Sequence, residues 1–209
     1  AAEAAGPFSC LTSTGSDGFR RTLLPADGSG VRPTPGTFIE SFGTHRPTIG
    51  LFGAGHVGRA VVLALAPLPF SVVWHDSREG AFPKAVPANV TLMRGDPAES
   101  LARLPDGAQI LVMTHSHAED LAIVAAALSP ARFAHVGLIG SQTKRARFVK
   151  RLAALGLAEA ASQLRCPIGI GGLSGKEPAV IAASVAAECL ILRESRSINA
   201  GTATRRTNA

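Results

Sequence analysis

The fold of this 209-residue chain is decided by the stretch TIGLFGAGHVG at residues 48–58. Its first five residues are mostly apolar and have the length of a buried strand, while the residues from His56 onward have the composition of an apolar helix. Three glycines in the spacing G-x-G-x-x-G, at residues 53, 55 and 58, connect the strand to the helix and continue into its first turn. A strand that runs through such a loop into a helix is typical of a site for a phosphate-bearing cofactor.

Each glycine of this loop has its own physical reason. Gly53 permits a tight turn, Gly55 lets a phosphate approach the backbone, and Gly58 lets the helix pack closely on the strand. The free N–H groups and the dipole at the start of the helix favour an anion. We therefore predict that the loop contacts the cofactor through Gly53, Gly55, His56, Val57 and Gly58.

An acidic residue follows the next strand. The predicted strand Phe70–His75 ends at Asp76, which lies 18 residues after Gly58. Dinucleotide-binding proteins carry an acid for the ribose hydroxyls roughly 20 residues beyond the glycine loop. We therefore predict Asp76 and its neighbour Ser77 as cofactor contacts. The alternative is that Asp76 is only a turn residue at the end of the strand.

Strands and helices continue to alternate along the chain, which predicts an α/β fold with a Rossmann-like, doubly wound parallel sheet. Residues 46–193 form this domain, residues 1–45 a short N-terminal arm or the remnant of a further domain, and residues 194–209 a disordered tail. Within the arm, a hairpin or an extended segment is expected, with a strand at Gly36–Phe42. The further predicted strands are Asn89–Met93, Gln109–Thr114 and His135–Ile139, and helices are expected to start near Asp96, Ser116, Ser141 and Glu177, the last one running to about Arg193.

The carboxyl ends of other strands supply further candidates, because ligands of open α/β sheets bind at that edge. Thr114 ends one predicted strand and His115 follows it, and Ser141 begins a helix after another strand. We predict all three as cofactor contacts, with helix capping as the alternative role. The role of the basic face at 144–151 and that of Cys166 stay open.

Composition excludes several classes of function. The net charge of +6 is carried without interleaved aromatic residues or a nucleic-acid-binding motif, so we expect no nucleic-acid partner. No run of roughly 18 apolar residues is present, so we expect no membrane span. Three cysteines without a C-x-x-C pair fit a reducing cytoplasm and argue against a structural zinc site. Neither a catalytic triad nor a metal-ligand spacing is evident, so we assign no catalytic residue and no metal ligand.

Five blocks of sequence in the same order resemble the xanthine dehydrogenase accessory protein family (XdhC/CoxI-like). The resemblance covers about residues 37–192. The blocks are 51–60, 74–78, 112–117, 136–145 and 175–179.

The resemblance implies a maturation chaperone. Such a protein binds the molybdenum cofactor, protects its sulfurated form and delivers it to the xanthine dehydrogenase apoenzyme, in contact with a cysteine desulfurase. The family also has an N-terminal domain with a cysteine-bearing glycine motif. Here Cys10 is not followed by glycines. We also expect a homo-oligomer.

Two other functions are compatible with the same loop. One is an NAD-dependent oxidoreductase in which His115 donates a proton, although no clear substrate domain follows the core. The other is a nucleotide-sensing regulatory module whose ligand changes the oligomeric state. The loop residues do not distinguish a pterin from NAD, since both present phosphate to the same backbone groups.

Overall fold

The computed structural model describes residues 8–15, 18–24, 33–42, 46–173 and 175–206, with the backbone alone at 41–42 and 196–206. The chain divides into two compact units, residues 1–46 and 47–209. The other parts of the predicted N-terminal arm, and residues 207–209 of the predicted tail, lie outside the described residues.

The first unit is a three-stranded antiparallel sheet in the order β2-β1-β3. Its strands are β1 (Phe8–Gly15), β2 (Gly18–Leu23) and β3 (Thr37–Phe42). The strand expected at Gly36–Phe42 is β3, which starts one residue later than predicted. β1 and β2 form a hairpin that ends at the pair Gly15 and Gly18. The segment therefore forms a three-stranded sheet, where a hairpin or an extended segment was predicted.

The second unit alternates strands and helices and contains one six-stranded parallel sheet in the order β6-β5-β4-β7-β8-β9. Counted from β4, this is the strand order 3-2-1-4-5-6 of a Rossmann fold. The predicted fold class is therefore confirmed. The strands are β4 (Thr48–Phe52), β5 (Ser71–His75), β6 (Val90–Met93), β7 (Gln109–Val112), β8 (His135–Leu138) and β9 (Leu164–Arg165), and the helices are α1 (His56–Leu65), α2 (Pro97–Arg103), α3 (His117–Leu128), α4 (Gln142–Ala154) and α5 (Pro178–Arg206).

Each face of this sheet has its own hydrophobic core. Side chains alternate along β7, so Ile110 and Val112 join the core with α2, α3 and α4, while Leu111 joins the core with α1 and α5. In the same way, Ile49 and Leu51 of β4 lie on the side of α1 and α5, and Phe52 lies on the other side. A sheet buried on both faces explains why the strands are nearly continuous apolar runs.

Two predicted boundaries at the end of the chain need correction. The last helix does not end near Arg193 but continues to Arg206, so residues 194–206 are helical where a disordered tail was predicted. A helix that is already nucleated adds one hydrogen bond for each residue it fixes, so a polar continuation without proline can extend it. The sequence also did not predict β9, because a strand of two residues has no recognisable period.

Candidate functional site

The glycine loop lies where the chain connections of the sheet change sides. β4 and β7 are neighbours at the centre of the sheet. β4 leads into α1, whereas β7 leads into α3, and these two helices pack on opposite faces. The departing connections leave a crevice beyond the carboxyl ends of β4 and β7, which is where open α/β proteins bind their ligands.

Two of the loop glycines are required by packing. Gly53 has a φ of +115°, and a Cβ added there would lie 2.2 Å from the carbonyl oxygen of Met113. A Cβ on Gly58 would lie 2.1 Å from the carbonyl oxygen of Gly53. Both contacts involve backbone atoms, which have little freedom to move. These glycines therefore bring β4, β7 and α1 into close contact.

Gly55 differs from both, because a Cβ at this position would meet no atom within 4 Å. Gly55 is the N-cap of α1, and no side chain caps this helix. The first-turn N–H groups, those of His56, Val57 and Gly58, are thus left for another acceptor. The predicted loop residues are together at this point, and His56 and Gly55 are exposed. This arrangement suits an anion such as phosphate.

The other helices that begin at or near this edge are capped by their own side chains. Asp96 accepts a hydrogen bond from the N–H of Ala98 at the start of α2. At the start of α3, the hydroxyl of Ser116 accepts a hydrogen bond from the N–H of Glu119. At the start of α4, the hydroxyl of Ser141 accepts one from the N–H of Lys144. Among α1 to α4, only α1 keeps an uncapped start.

Asp76 lies directly behind the glycine loop and is 3% exposed. Its Oδ2 accepts hydrogen bonds from the N–H of Ala54 at 2.7 Å and from Nη2 of Arg78 at 2.9 Å. Its Oδ1 accepts bonds from the N–H and the Nε of Arg78 at 3.0 and 2.9 Å. Burial raises the pKa of Asp76, but the hydrogen bonds from Arg78 and Ala54 outweigh this effect and lower the pKa to about 2. Asp76 is thus a carboxylate whose two oxygens are already engaged.

Two arginines adjoin the open start of α1. Arg59 donates hydrogen bonds to the carbonyl oxygens of Ala54 and Ala81, at 3.2 and 2.8 Å. Arg78 is held by Asp76 on one side and is about half-exposed. Both line a cavity of about 440 Å³, which also includes Gly55 and one acidic residue, Glu79. An anion at the start of α1 would therefore lie near positive charge as well as near free N–H groups.

Ser77 and His115 meet through a residue of α3. The hydroxyl of Ser77 donates a hydrogen bond to Oε1 of Glu119 at 2.8 Å, and Nδ1 of His115 lies 3.7 Å from Oε2 of the same carboxylate. This contact joins the carboxyl end of β5 to the first turn of α3. The structure thus brings two of the predicted contacts together around Glu119, a residue that was not among the predicted contacts.

Thr114 belongs to a buried polar network. Its N–H and its hydroxyl donate hydrogen bonds to Oδ1 of Asp120, at 3.0 and 2.8 Å. The other oxygen of Asp120 accepts a bond of 2.6 Å from Nζ of Lys144, which also donates to the carbonyl of Ile139. The side chains of Asp120 and Lys144 are 1% and 15% exposed. The network ties the end of β7 to α3 and α4, and it explains why β7 ends at Val112, before Thr114.

Ser141 lies apart from the glycine loop. Its hydroxyl caps α4 by accepting a hydrogen bond from the N–H of Lys144 at 3.2 Å. Its carbonyl oxygen accepts a weak bond from the thiol of Cys166 at 3.8 Å. Cys166 is buried, and burial raises the pKa of its thiol. No contact joins Ser141 directly to the loop in the described part of the chain.

Sequence reasoning did not assign Arg59, Arg78 or Asp120. The ion pair of Arg78 could have been predicted, because an arginine two residues after an acid at a strand end is close enough to bind that acid. Asp120 follows Glu119 in a helix start, where acids are ordinarily attributed to the helix dipole. Its burial depends on α4, which no local pattern reveals.

The described residues also bear on metal binding and on membrane insertion. Across the described ranges, no three His, Cys, Asp or Glu side chains are grouped so that they could hold a metal ion. Within the same ranges, none of the helices is both long and apolar enough to cross a membrane.

The strand order and the open glycine loop define a cofactor-binding domain of the Rossmann class. Residues 49–189 match the XdhC Rossmann domain family. The chain therefore belongs to this family, which confirms the resemblance carried by the five sequence blocks.

One curated protein and one solved structure are also similar to this chain. The uncharacterized protein YqeB of Escherichia coli (strain K12) is 31% identical over 181 residues, which cover 84% of this chain and 32% of that protein. The chain thus spans about a third of the length of this curated relative. The crystal structure of a xanthine dehydrogenase from Bacillus halodurans has a TM-score of 0.71 at 19% identity, covers 92% of this chain and 61% of that one, and shows the same fold.

Proposed function

We propose that this chain binds the molybdenum cofactor at the start of α1 and acts as a maturation chaperone for an enzyme of the xanthine dehydrogenase type. Membership of the XdhC Rossmann domain family supports an accessory role toward such an enzyme. The cofactor is a phosphate-bearing pterin, and when bound it supplies the molybdenum that the receiving enzyme uses. The residues of this chain hold the cofactor and carry out no chemical step on it.

The uncapped start of α1 is the observation that carries this proposal. Gly55 leaves open space in front of the first-turn N–H groups. Arg59 and Arg78 add positive charge beside that space. The phosphate of the cofactor would accept hydrogen bonds from the N–H groups of His56 and Val57, which no side chain of the protein caps.

The state of Asp76 favours the molybdenum cofactor over NAD. A ribose diol would need the carboxylate oxygens of Asp76 as acceptors, but Arg78 and the N–H of Ala54 already occupy both. A ribose would therefore have to displace a charged, bidentate partner. A terminal phosphate needs no such displacement, because it would meet Arg78 as an attractive neighbour.

The remaining predicted contacts would act at the same edge of the sheet. Ser77, Thr114 and His115 follow the carboxyl ends of β5 and β7, and each contacts a carboxylate of α3. In this proposal they position the pterin end of the cofactor. The protein works in the cytoplasm, where its three buried free thiols stay reduced, and transfers the cofactor when it docks on the apoenzyme and a cysteine desulfurase.

The proposal is tested by calorimetric titration of the purified chain with anaerobically prepared molybdenum cofactor, NAD and NADP. We expect binding of the cofactor and negligible binding of both nucleotides. Gly55→Asp should abolish this binding, because its carboxylate would repel the phosphate. Gly55→Asn, which has nearly the same size and no charge, is the matched control and should retain more affinity.

Three results would contradict the proposal. Binding of NAD without affinity for the cofactor would indicate an oxidoreductase. A ligand-dependent change in solution mass without cofactor binding would indicate a nucleotide-sensing module. Full xanthine dehydrogenase activity in cells that lack the protein would exclude the chaperone role.

A further inference from the structure

A second and larger cavity lies beside the edge strand β9. It has a volume of about 890 Å³, within the range of roughly 300–1,000 Å³ that is usual for small-molecule sites. The start of α4, the loop at 166–173 and the start of α5 form its walls. The glycine loop does not contribute to it. The cavity is therefore distinct from the site at the start of α1.

The charge of this cavity has one sign. Arg145, Arg165 and Lys176 line it, and its described lining includes no Asp or Glu. Within the part of the chain that the structure describes, Arg145 and Lys176 take part in no ion pair. Arg165 donates its Nε to Oε1 of Glu188 at 3.0 Å, but its side chain is more than half exposed, so the rest of the guanidinium is available.

One carboxylate, that of Glu188, lies close to the cavity, and it pairs with Arg165. Glu188 is buried on α5, and its second oxygen accepts a hydrogen bond of 2.6 Å from the N–H of Gly169. Its carboxylate is thus engaged by Gly169 and Arg165. His135 also lines the cavity, and burial lowers the pKa of its imidazole, which favours the neutral form. Arg145 and Lys176 therefore face the cavity without an ion pair, whereas Glu188 offsets part of the charge of Arg165.

The wall formed by residues 166–173 is anchored rather than loose. Gly169 has a φ of +97°, and a Cβ at this position would lie 2.4 Å from the hydroxyl oxygen of Ser184. Ser184 also donates a hydrogen bond to the carbonyl of Ile170 at 3.2 Å. The backbone of the loop is thus packed closely against the Ser184 side chain of α5. The cavity it encloses is held open by these contacts.

We propose that the cavity beside β9 binds a small molecule that carries a diphosphate, such as a nucleoside diphosphate. The two unpaired cations, Arg145 and Lys176, attract the negative charge of a diphosphate ester, and the exposed part of the Arg165 guanidinium can add paired hydrogen bonds to phosphate. The amides of Gln142 and Gln163, which also line the cavity, offer hydrogen bonds to the organic part of the ligand. This site is independent of the proposed cofactor site, and it stands whether or not the glycine loop binds the molybdenum cofactor.

The experiment uses the full chain with ADP and inorganic pyrophosphate as probes. Calorimetry gives the dissociation constants, and isotope-edited NMR shows which backbone amides respond. The test variant is the pair Arg145→Gln and Lys176→Gln, which removes two cations that hold no ion pair in the described structure. The matched control is the pair Arg147→Gln and Lys150→Gln, two exposed residues on the same helix α4 that do not line the cavity. Circular dichroism verifies that all variants are folded.

We expect both probes to shift amide signals at 169–172 and to bind ~10-fold more weakly to the test pair, with a change below about twofold in the control pair. Equal weakening in both pairs would show a general charge effect and would overturn the proposal. So would the absence of shifts at 169–172.

Gly55→Asp separates this inference from the proposed function. If the cavity binds the probes, their affinity stays the same in this variant. If Gly55→Asp abolishes binding of ADP while the test pair does not, the probe occupies the glycine loop, and the cavity proposal fails alone. Loss of molybdenum-cofactor binding in Gly55→Asp, with ADP binding intact, would support both.

Discussion

The starts of α1 and α4 lie at the same edge of one sheet, yet they differ in how the N–H groups of the first helical turn are capped. At α4, Ser141 caps the helix and Lys144 turns back onto the buried carboxylate of Asp120. At α1, Gly55 offers no side chain, and the first N–H groups of the helix have no cap. The α4 start is satisfied within the protein, whereas the α1 start is left for a ligand. Binding capacity is therefore found where local structure leaves hydrogen-bond donors unused.

The largest expected effect concerns the packing of the α1 loop. Gly53→Ala places a methyl group 2.2 Å from the carbonyl oxygen of Met113, at a φ of +115°. We expect the free energy of unfolding to fall by more than about 3 kcal/mol, because two backbone segments must move apart. Denaturant unfolding measures this loss. Gly55→Ala, which meets no atom within 4 Å, is the control and should stay within about 1 kcal/mol of the wild type. Similar losses in both variants would mean that Gly55 is also a packing residue.

The second-largest effect concerns the start of α4, where Lys144 pairs with the buried carboxylate of Asp120. Lys144→Met removes the cation that faces Asp120 and leaves a buried carboxylate without its charged partner. Such a change costs about 3 kcal/mol. Thermal or denaturant unfolding would measure it, with the exposed Lys150→Met on the same helix as the control, for which about 0.5 kcal/mol or less is expected. If Asp120→Asn is added to Lys144→Met, part of the lost stability should return. A double variant as unstable as the sum of the two single variants would argue against direct coupling.

Asp76 should make the α1 region sensitive to acid. Its pKa is lowered from 3.8 to about 2, so its contribution is complete above about pH 4 and is lost as the pH falls toward 2. The difference in pKa corresponds to about 2 kcal/mol. Unfolding of the wild type and of Asp76→Asn, followed from pH 6 to pH 2, should show a stability difference that shrinks with falling pH. Asp106→Asn, at an exposed carboxylate, is measured in parallel as the control variant. A constant difference between wild type and Asp76→Asn would contradict the assigned pKa.

The smallest effect distinguishes a cap from a ligand contact. Ser141→Ala removes the hydroxyl that accepts the N–H of Lys144 and should cost about 1 kcal/mol. Since Ser141 has no direct contact with the loop in the described structure, we expect cofactor affinity measured by calorimetry to stay unchanged. Ser116→Ala provides the comparison at α3, with a similar cost. A clear loss of cofactor affinity in Ser141→Ala alone would instead establish this serine as a ligand contact.

The glycine loop and the fold could be predicted from the sequence because they depend on local signals. The spacing of Gly53, Gly55 and Gly58 and the alternation of strands and helices are local patterns, and the structure has both. The candidate contacts were predicted from their positions at strand ends, which the structure also has. The partners of those residues could not be predicted. The acid at Asp76 is visible in the sequence, but its bidentate contact with Arg78 depends on rotamers and burial.

The sequence by itself determined the class of the domain, its glycine loop and the alternation of its main strands and helices, because hydrophobic period and glycine spacing act over short distances. Only the tertiary structure decided which of those elements keep hydrogen-bond donors or charged side chains available to a ligand. The pairing of Asp120 with Lys144 and the cavity beside β9 join residues from separate parts of the chain. Their proximity results from the packing of whole helices against the sheet. Burial then sets the strength of each charge interaction, since it removes the water that would otherwise screen it.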